Sequence, residues 1–232
     1  MKIEEIEAKH NYKFPKLYKK LWENGMLNWM GDWGDKPFSI TNTWENSIYP
    51  TIKNNPPLLL HTGGYDFELL TSNAMYQYKF DELWNINEHH FIPFAKTAEG
   101  DVYAFYKNIE IDGENPIVHI LQNDESKIIA KNFEDFIFRQ MLTAICDVEK
   151  DEISADYGDD FEAYRKDILS DLRTISPYIN KQYVALLEEF FKREEILEGM
   201  FSYGLMSTNE LNLTIKKYLG FEQLNETFEH EI

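Results

Sequence analysis

A single cysteine, Cys146, stands among 232 residues, so no disulfide framework and no cysteine-rich zinc site can form within one chain. Cys146 falls in an apolar periodic segment, the setting of a buried packing residue, and no sequence motif supplies the positioned base a catalytic thiol needs. Long apolar runs are also missing: none approaches the ~18 residues that span a bilayer. The start, Met1-Lys2-Ile3-Glu4-Glu5-Ile6-Glu7, lacks the apolar core of a signal peptide. A cytoplasmic protein without membrane contact is expected. Basic residues are scarce, 23 Lys and Arg against 41 Asp and Glu, which leaves a net charge of -18. Such a balance repels polyphosphate, and Lys16, Lys19 and Lys20 are interleaved with core-type residues, so direct nucleic-acid binding is not expected. The charge fits a basic partner; it equally serves solubility.

The motifs of catalysis are absent as well. Thr62-Gly63-Gly64 follows the apolar Leu58-Leu59-Leu60-His61, but no Lys-Ser/Thr pair and no helix-forming run opens after it, so it reads as a tight turn and not a phosphate loop. Glu88-His89-His90 gathers three metal-ligand types, yet adjacent side chains diverge on a strand or a helix. One histidine is expected to be exposed and the other to pack beside Trp84 or Phe91. Carboxylate pairs such as Asp32 with Asp35 and Asp159 with Asp160 arise by chance in so acidic a chain. No Gly-x-Ser-x-Gly elbow occurs. Neither catalysis nor a metal or other cofactor is expected.

What the sequence does contain is periodic. Pro15 stands near the start of a short amphipathic helix with Leu17, Tyr18, Leu21 and Trp22 at i,i+4 and Gly25 after its end, and Ile3 and Ile6 suggest another helical turn or two ahead of it. From Met26 to about His90, short apolar runs, Met75-Tyr76-Gln77-Tyr78 among them, read as loops and strands. Phe91–Ala95 and Val102–Tyr106 form a hairpin across Gly100; Ile117–Leu121 follows an Asp112-Gly113 turn, and Ile128–Ala130 adds a fourth short strand. Asn132 caps a closing helix through Ile145. Beyond about residue 150 the chain becomes acidic and helical. One helix carries Phe161 to Ile175; a second starts at Ser176-Pro177 and runs to Leu197, stopped by Gly199; a third is capped by Ser207 with Glu210 and ends at Gly220. These stripes could bury against each other, the preceding domain or a second chain.

Trp29-Met30-Gly31-Asp32-Trp33-Gly34-Asp35, with Trp44 further on, makes poor core sequence because small residues separate the tryptophans. Either the rings fold back onto the core, or Trp29, Trp33 and Trp44 are surface anchors beside the carboxylates of Asp32 and Asp35 for a cationic partner.

Three segments together carry a resemblance. Ile3–Glu7 followed by Phe14-Pro15-Lys16-Leu17-Tyr18 through Asn24-Gly25, then Phe91-Ile92-Pro93-Phe94-Ala95 with Gly100-Asp101, then Asn132-Phe133-Glu134-Asp135-Phe136-Ile137, resemble in order and spacing the SUKH superfamily over about residues 1–145. Phe105-Tyr106 stands where many members carry an acid after the Gly-Asp turn, so no role of that acid is carried over. The resemblance implies an α+β fold, a curved, mostly antiparallel sheet flanked by helices, in residues 1–150; residues 151–232 lie outside it and are read from their own periodicity as an acidic all-helical extension. The resemblance also implies a non-catalytic binder, an immunity protein that neutralises a cognate toxin by occluding its active surface. A basic nuclease domain is the toxin class that the charge suits. The alternative is a regulatory or scaffolding module related to cell-wall synthesis regulators. Trp29, Asp32, Trp33, Asp35 and Trp44 are the partner-binding candidates.

Overall fold

The computed structural model describes residues 1–27, 59–60, 65, 68–80, 88–121, 126–146, 148–198, 202–220 and 224–225. By chain contacts it divides into two compact units, one of Met1–Thr51, Asp66–Phe136 and Gln223–Ile232, the other of Ile52–Tyr65 and Ile137–Glu222. The fold is α+β, with an open antiparallel main sheet.

In the first unit, α1 (Ile3–His10) ends at Asn11 in the left-handed region, φ 45°, and the chain turns toward α2 (Lys16–Glu23), which Pro15 precedes. Proline suits that position because its missing N–H is not needed by the first turn. Five strands follow in order: β1 (Glu68–Leu69), β2 (Phe91–Lys96), β3 (Val102–Tyr106), β4 (Ile117–Ile120) and β5 (Lys127–Ala130). Each pairs antiparallel with the next, and β9 (Leu224–Asn225) joins beside β5. The Phe91–Ala95 and Val102–Tyr106 hairpin expected from sequence is present, with Gly100 at φ 97°. Pro93 sits where the β2 register shifts, a place in a sheet that tolerates a residue without an N–H. Asn132 caps α4 (Phe133–Thr143) as expected, its Oδ1 accepting the Asp135 N–H at 2.8 Å. One expectation fails here: Ser72–Gln77, which includes Met75 and Tyr76, is a helix, α3, because the Thr71 hydroxyl accepts the Ala74 N–H and caps its start.

Aromatic rings join these helices to the sheet. Tyr18 of α2 lies 5.4 Å from Phe105 and 5.1 Å from Phe133, and Phe94 lies 5.4 Å from both Phe133 and Phe136, mostly edge to face. Rings prefer that geometry because positive edges meet negative faces. All five are essentially excluded from solvent. The one acid within α1's buried face, Glu7, accepts from Lys13 at 2.8 Å, Lys19 at 2.6 Å and the Phe14 N–H at 3.0 Å. Burial works to raise its pKa, but these donors outweigh it and hold the carboxyl below its ordinary value.

The second unit contains α5 (Lys150–Tyr157), α6 (Phe161–Ile175), α7 (Lys181–Phe191) and α8 (Thr208–Leu219), with α6 packed on α5 and α7. Residues 151–232 are not all helical, as had been expected. β6 (Val148–Glu149), β8 (Ser202–Gly204) and β7 (Ile196–Glu198) form a three-stranded antiparallel sheet in that order. The expected helix from Ser176 to Leu197 is also shorter. Ser176 closes α6, its hydroxyl donating back to the Leu172 carbonyl, and Asn180 caps α7 by accepting the Gln182 N–H. At the other end, Arg165 donates to the carbonyls of Phe191 at 3.3 Å and Arg193 at 2.6 Å, ending α7 and freeing the chain for β7. Ser207 caps α8 by accepting the Glu210 N–H, and Gly220 ends it at φ 57°, both as expected. Cys146 is buried, with its thiol 3.8 Å from the Thr208 hydroxyl. Among the described residues no helix is long and apolar enough to cross a membrane.

Candidate functional site

Trp29, Asp32, Trp33, Asp35 and Trp44 lie outside the described residues. Within the first unit, however, strand register gathers a different set of acids. Ile117 of β4 pairs with Ala130 of β5 in antiparallel sense, which places the chain before β4 and the chain after β5 at the same end of the sheet. The first of these segments is a tight hairpin: Ile111 and Glu114 exchange backbone hydrogen bonds at 2.8 and 3.1 Å across Asp112 and Gly113, at φ 52° and 87°. Both central residues are left-handed, as a turn that matches strand twist requires, and aspartate followed by glycine suits it. Asn115 fixes its base by donating to the carbonyls of Ile109 at 2.7 Å and Lys107 at 3.4 Å. The second segment is the capped first turn of α4, with Glu134 and Asp135.

Glu110, Asp112, Glu114, Glu134 and Asp135 are thus carried by two braced segments at one end of the sheet. Among the described residues, Lys131 lies 4.0 Å from Asp112, and the Lys107 ammonium donates to the His10 carbonyl at 3.3 Å. Glu114 is exposed, and its pKa is raised, by partial burial first and then by the charges of Glu134 and Asp135. Tyr12 adds a buried hydroxyl with no hydrogen bond among the described residues. Burial raises its pKa strongly, and the negative charges of Glu114 and Glu7 add to the shift. Of the acids at this end, Glu110, Asp112 and Glu114 are exposed whereas Asp135 is buried, so it is the turn that offers carboxylates to a cation brought by a partner.

Among the described residues, His89 and His119 pack against rings. His89 stacks on Phe91 with centroids 5.9 Å apart, and its Nδ1 lies 2.7 Å from the Tyr106 hydroxyl, whereas His90 is exposed. His119 stacks on Tyr103 at 4.3 Å and lies 3.8 Å from Asp101. Among the described residues no group of three His, Cys, Asp or Glu is placed to hold a metal ion.

Sequence reasoning passed over the acids at this end because composition makes close carboxylate pairs uninformative. Two signals were nevertheless present, the Asp112-Gly113 turn and the Asn132 cap. They become a site only once the pairing of β4 with β5 is known.

The structure therefore defines an α+β protein of helices and an open antiparallel sheet, with an acidic turn at one end of that sheet. The sequence model of the SMI1 / KNR4 family (SUKH-1) matches residues 2–139, more than half of the chain, and the chain belongs to that family. Membership is consistent with an immunity-protein-like binding module and with a protein partner in general. No curated protein and no solved structure matches the chain.

Proposed function

We propose that this chain is an immunity protein that acts without catalysis in the cytoplasm, binding a cognate toxin and covering the toxin's basic active surface. The observation that carries this reading is the acidic end of the first unit, where exposed Glu110, Asp112 and Glu114 stand on a braced turn at the same end of the sheet as the first turn of α4. A nuclease toxin fits best. Its groove is basic in order to hold phosphates, and an acidic surface braced by a tight turn and a helix cap competes for the same cations. The net charge of -18 steers such a partner over a longer range than the contact itself. Trp29, Asp32, Trp33, Asp35 and Trp44 remain the candidates for aromatic anchors and further carboxylates in this interface.

Co-purification of the tagged protein from its native cells at low and high salt, with mass spectrometry of what is retained, tests the reading. A stoichiometric basic toxin held less well at high salt, and inhibited in its own activity assay, is the expected result. A complex in which the toxin keeps full activity would sink it, and a regulatory partner without toxin activity would favour a scaffolding role.

A further inference from the structure

The second unit carries an exposed apolar pair outside the family-matched residues. Ile196 is 38% exposed and Leu213 is 59% exposed. An ion pair links the two segments that bear them: Arg193 meets Glu210 at 2.7 Å, and Ile196 and Leu213 each stand three residues beyond one partner. Arg193 also lies over the Phe190 ring, 4.4 Å from its centroid, while its carbonyl accepts from Arg165 at 2.6 Å. The chain entering β7 is therefore fixed before any partner arrives, which lowers the ordering cost of binding.

β7 is an outer strand of its sheet among the described residues, so one of its edges is not paired by another named strand. Exposed Glu188, Glu189, Glu194 and Glu195 precede it. Carboxylates beside an edge discourage a second copy of the same strand, which would bring like charges together. They favour a strand of opposite charge for the same reason. Beyond Leu213 on α8, Lys216 and Lys217 are both exposed, and Lys217 is turned over the Tyr218 ring at 4.7 Å.

We propose that the open edge of β7 receives an extended cationic segment of the protein partner, with Ile196 and Leu213 as apolar anchors and Glu194 and Glu195 as counter-charges. Three residues of strand span only ~10 Å and offer few backbone hydrogen bonds, so the anchors and charges must supply much of the selectivity. This inference rests on the reading of the chain as a protein-binding module, but it concerns a different surface from the acidic end.

The test is amide chemical-shift mapping of the full chain with three blocked peptides: alternating Lys-Val, the same peptide N-methylated on alternate residues so that it cannot pair, and alternating Glu-Val. The expected result is perturbation of residues 194–198 and 210–213 by the first peptide alone. Ile196→Ser and the double variant Glu194→Lys, Glu195→Lys should each weaken that binding by roughly tenfold. Ile196 is only 38% exposed, so Leu213→Ser, at a residue 59% exposed, serves as the second variant, and each is compared after its amide spectrum outside residues 194–198 and 210–213 is shown to be unchanged. Equal binding of the N-methylated peptide, or no effect of Ile196→Ser, would overturn the proposal. Perturbation confined to residues 110–114 and 134–135 would overturn it too, while leaving the acidic-end reading in place. Perturbation at 194–198 retained in a Glu114→Lys protein would uphold it even if that reading fails.

Discussion

Tyr18, Phe94, Phe105, Phe133 and Phe136 hold the helices of the first unit to its sheet, whereas in the second unit Arg165 and Arg193 reach across to carbonyls and a carboxylate at the ends of elements. The first arrangement depends on shape and burial, and its surface can vary without disturbing the core. The second fixes the path of the chain at the surface itself. The comparison teaches where partner-specific features can accumulate: on turns and caps around a shared aromatic core, and on the segments that charged side chains pin in the second unit.

The largest expected effect breaks the first arrangement. Phe133→Ala removes a ring that touches Tyr18, Phe94 and Phe105, and should cost about 3–5 kcal/mol in chemical denaturation, with loss of amide protection in β2 to β4. An effect below about 1 kcal/mol would mean that the ring cluster is not what orders the unit. Arg165→Met probes the second arrangement by leaving the Phe191 and Arg193 carbonyls without their charged donor. About 1–3 kcal/mol should be lost, and hydrogen exchange should quicken around residues 190–198. If exchange there is unchanged, the side chain does not fix the path into β7.

A subtler probe is Glu7, the buried acid that interrupts the apolar face of α1. Its pKa is lowered on folding, so its stabilisation is present above the unfolded carboxyl pKa and is lost as pH falls through the lower folded value. His10, whose pKa burial also lowers, acts in the same direction from below its ordinary 6.5. Glu7→Gln should therefore flatten the acid limb of the stability profile and cost about 1–2 kcal/mol at neutral pH, read from denaturation midpoints across pH. A profile unchanged in shape would show that Glu7 is not held below its ordinary pKa.

The smallest effect has the opposite sign. Glu114 has a raised pKa, so its charge disfavours folding once pH rises through that value. Because the group is exposed and screened, Glu114→Gln should stabilise the free protein by only a few tenths of a kcal/mol at neutral pH, within the range of exposed charge pairs. A destabilised variant would argue against repulsion at that end.

These positions also show how far sequence carried the account. The hairpin around Gly100, the Asn132 and Ser207 caps and the helix from Phe161 to Ile175 were legible because each signal is local: a turn residue, a side-chain acceptor, or a stripe of period 3.6. Where tertiary partners decided, the pattern misled. The stripe from Tyr183 to Leu197 continues through the sequence, but Arg165, distant along the chain, takes the carbonyls at the end of α7, and Ile196–Glu198 pairs with Ser202–Gly204. Met75 and Tyr76 gave no lasting period, and a single Thr71 cap settled them as helix. The acidic end was hidden for a related reason. Its carboxylates lie on segments brought together by strand register, which no local pattern encodes.

Whether the acidic end binds the partner is decided by titration calorimetry of the partner that co-purifies with the protein, at low and high salt, against the wild-type chain and the Glu114→Lys, Glu134→Lys double variant. Charge reversal should weaken binding by tenfold or more, about 1.4 kcal/mol or greater, and the loss should shrink as salt screens the surface. Equal affinity of the two chains at low salt would contradict it.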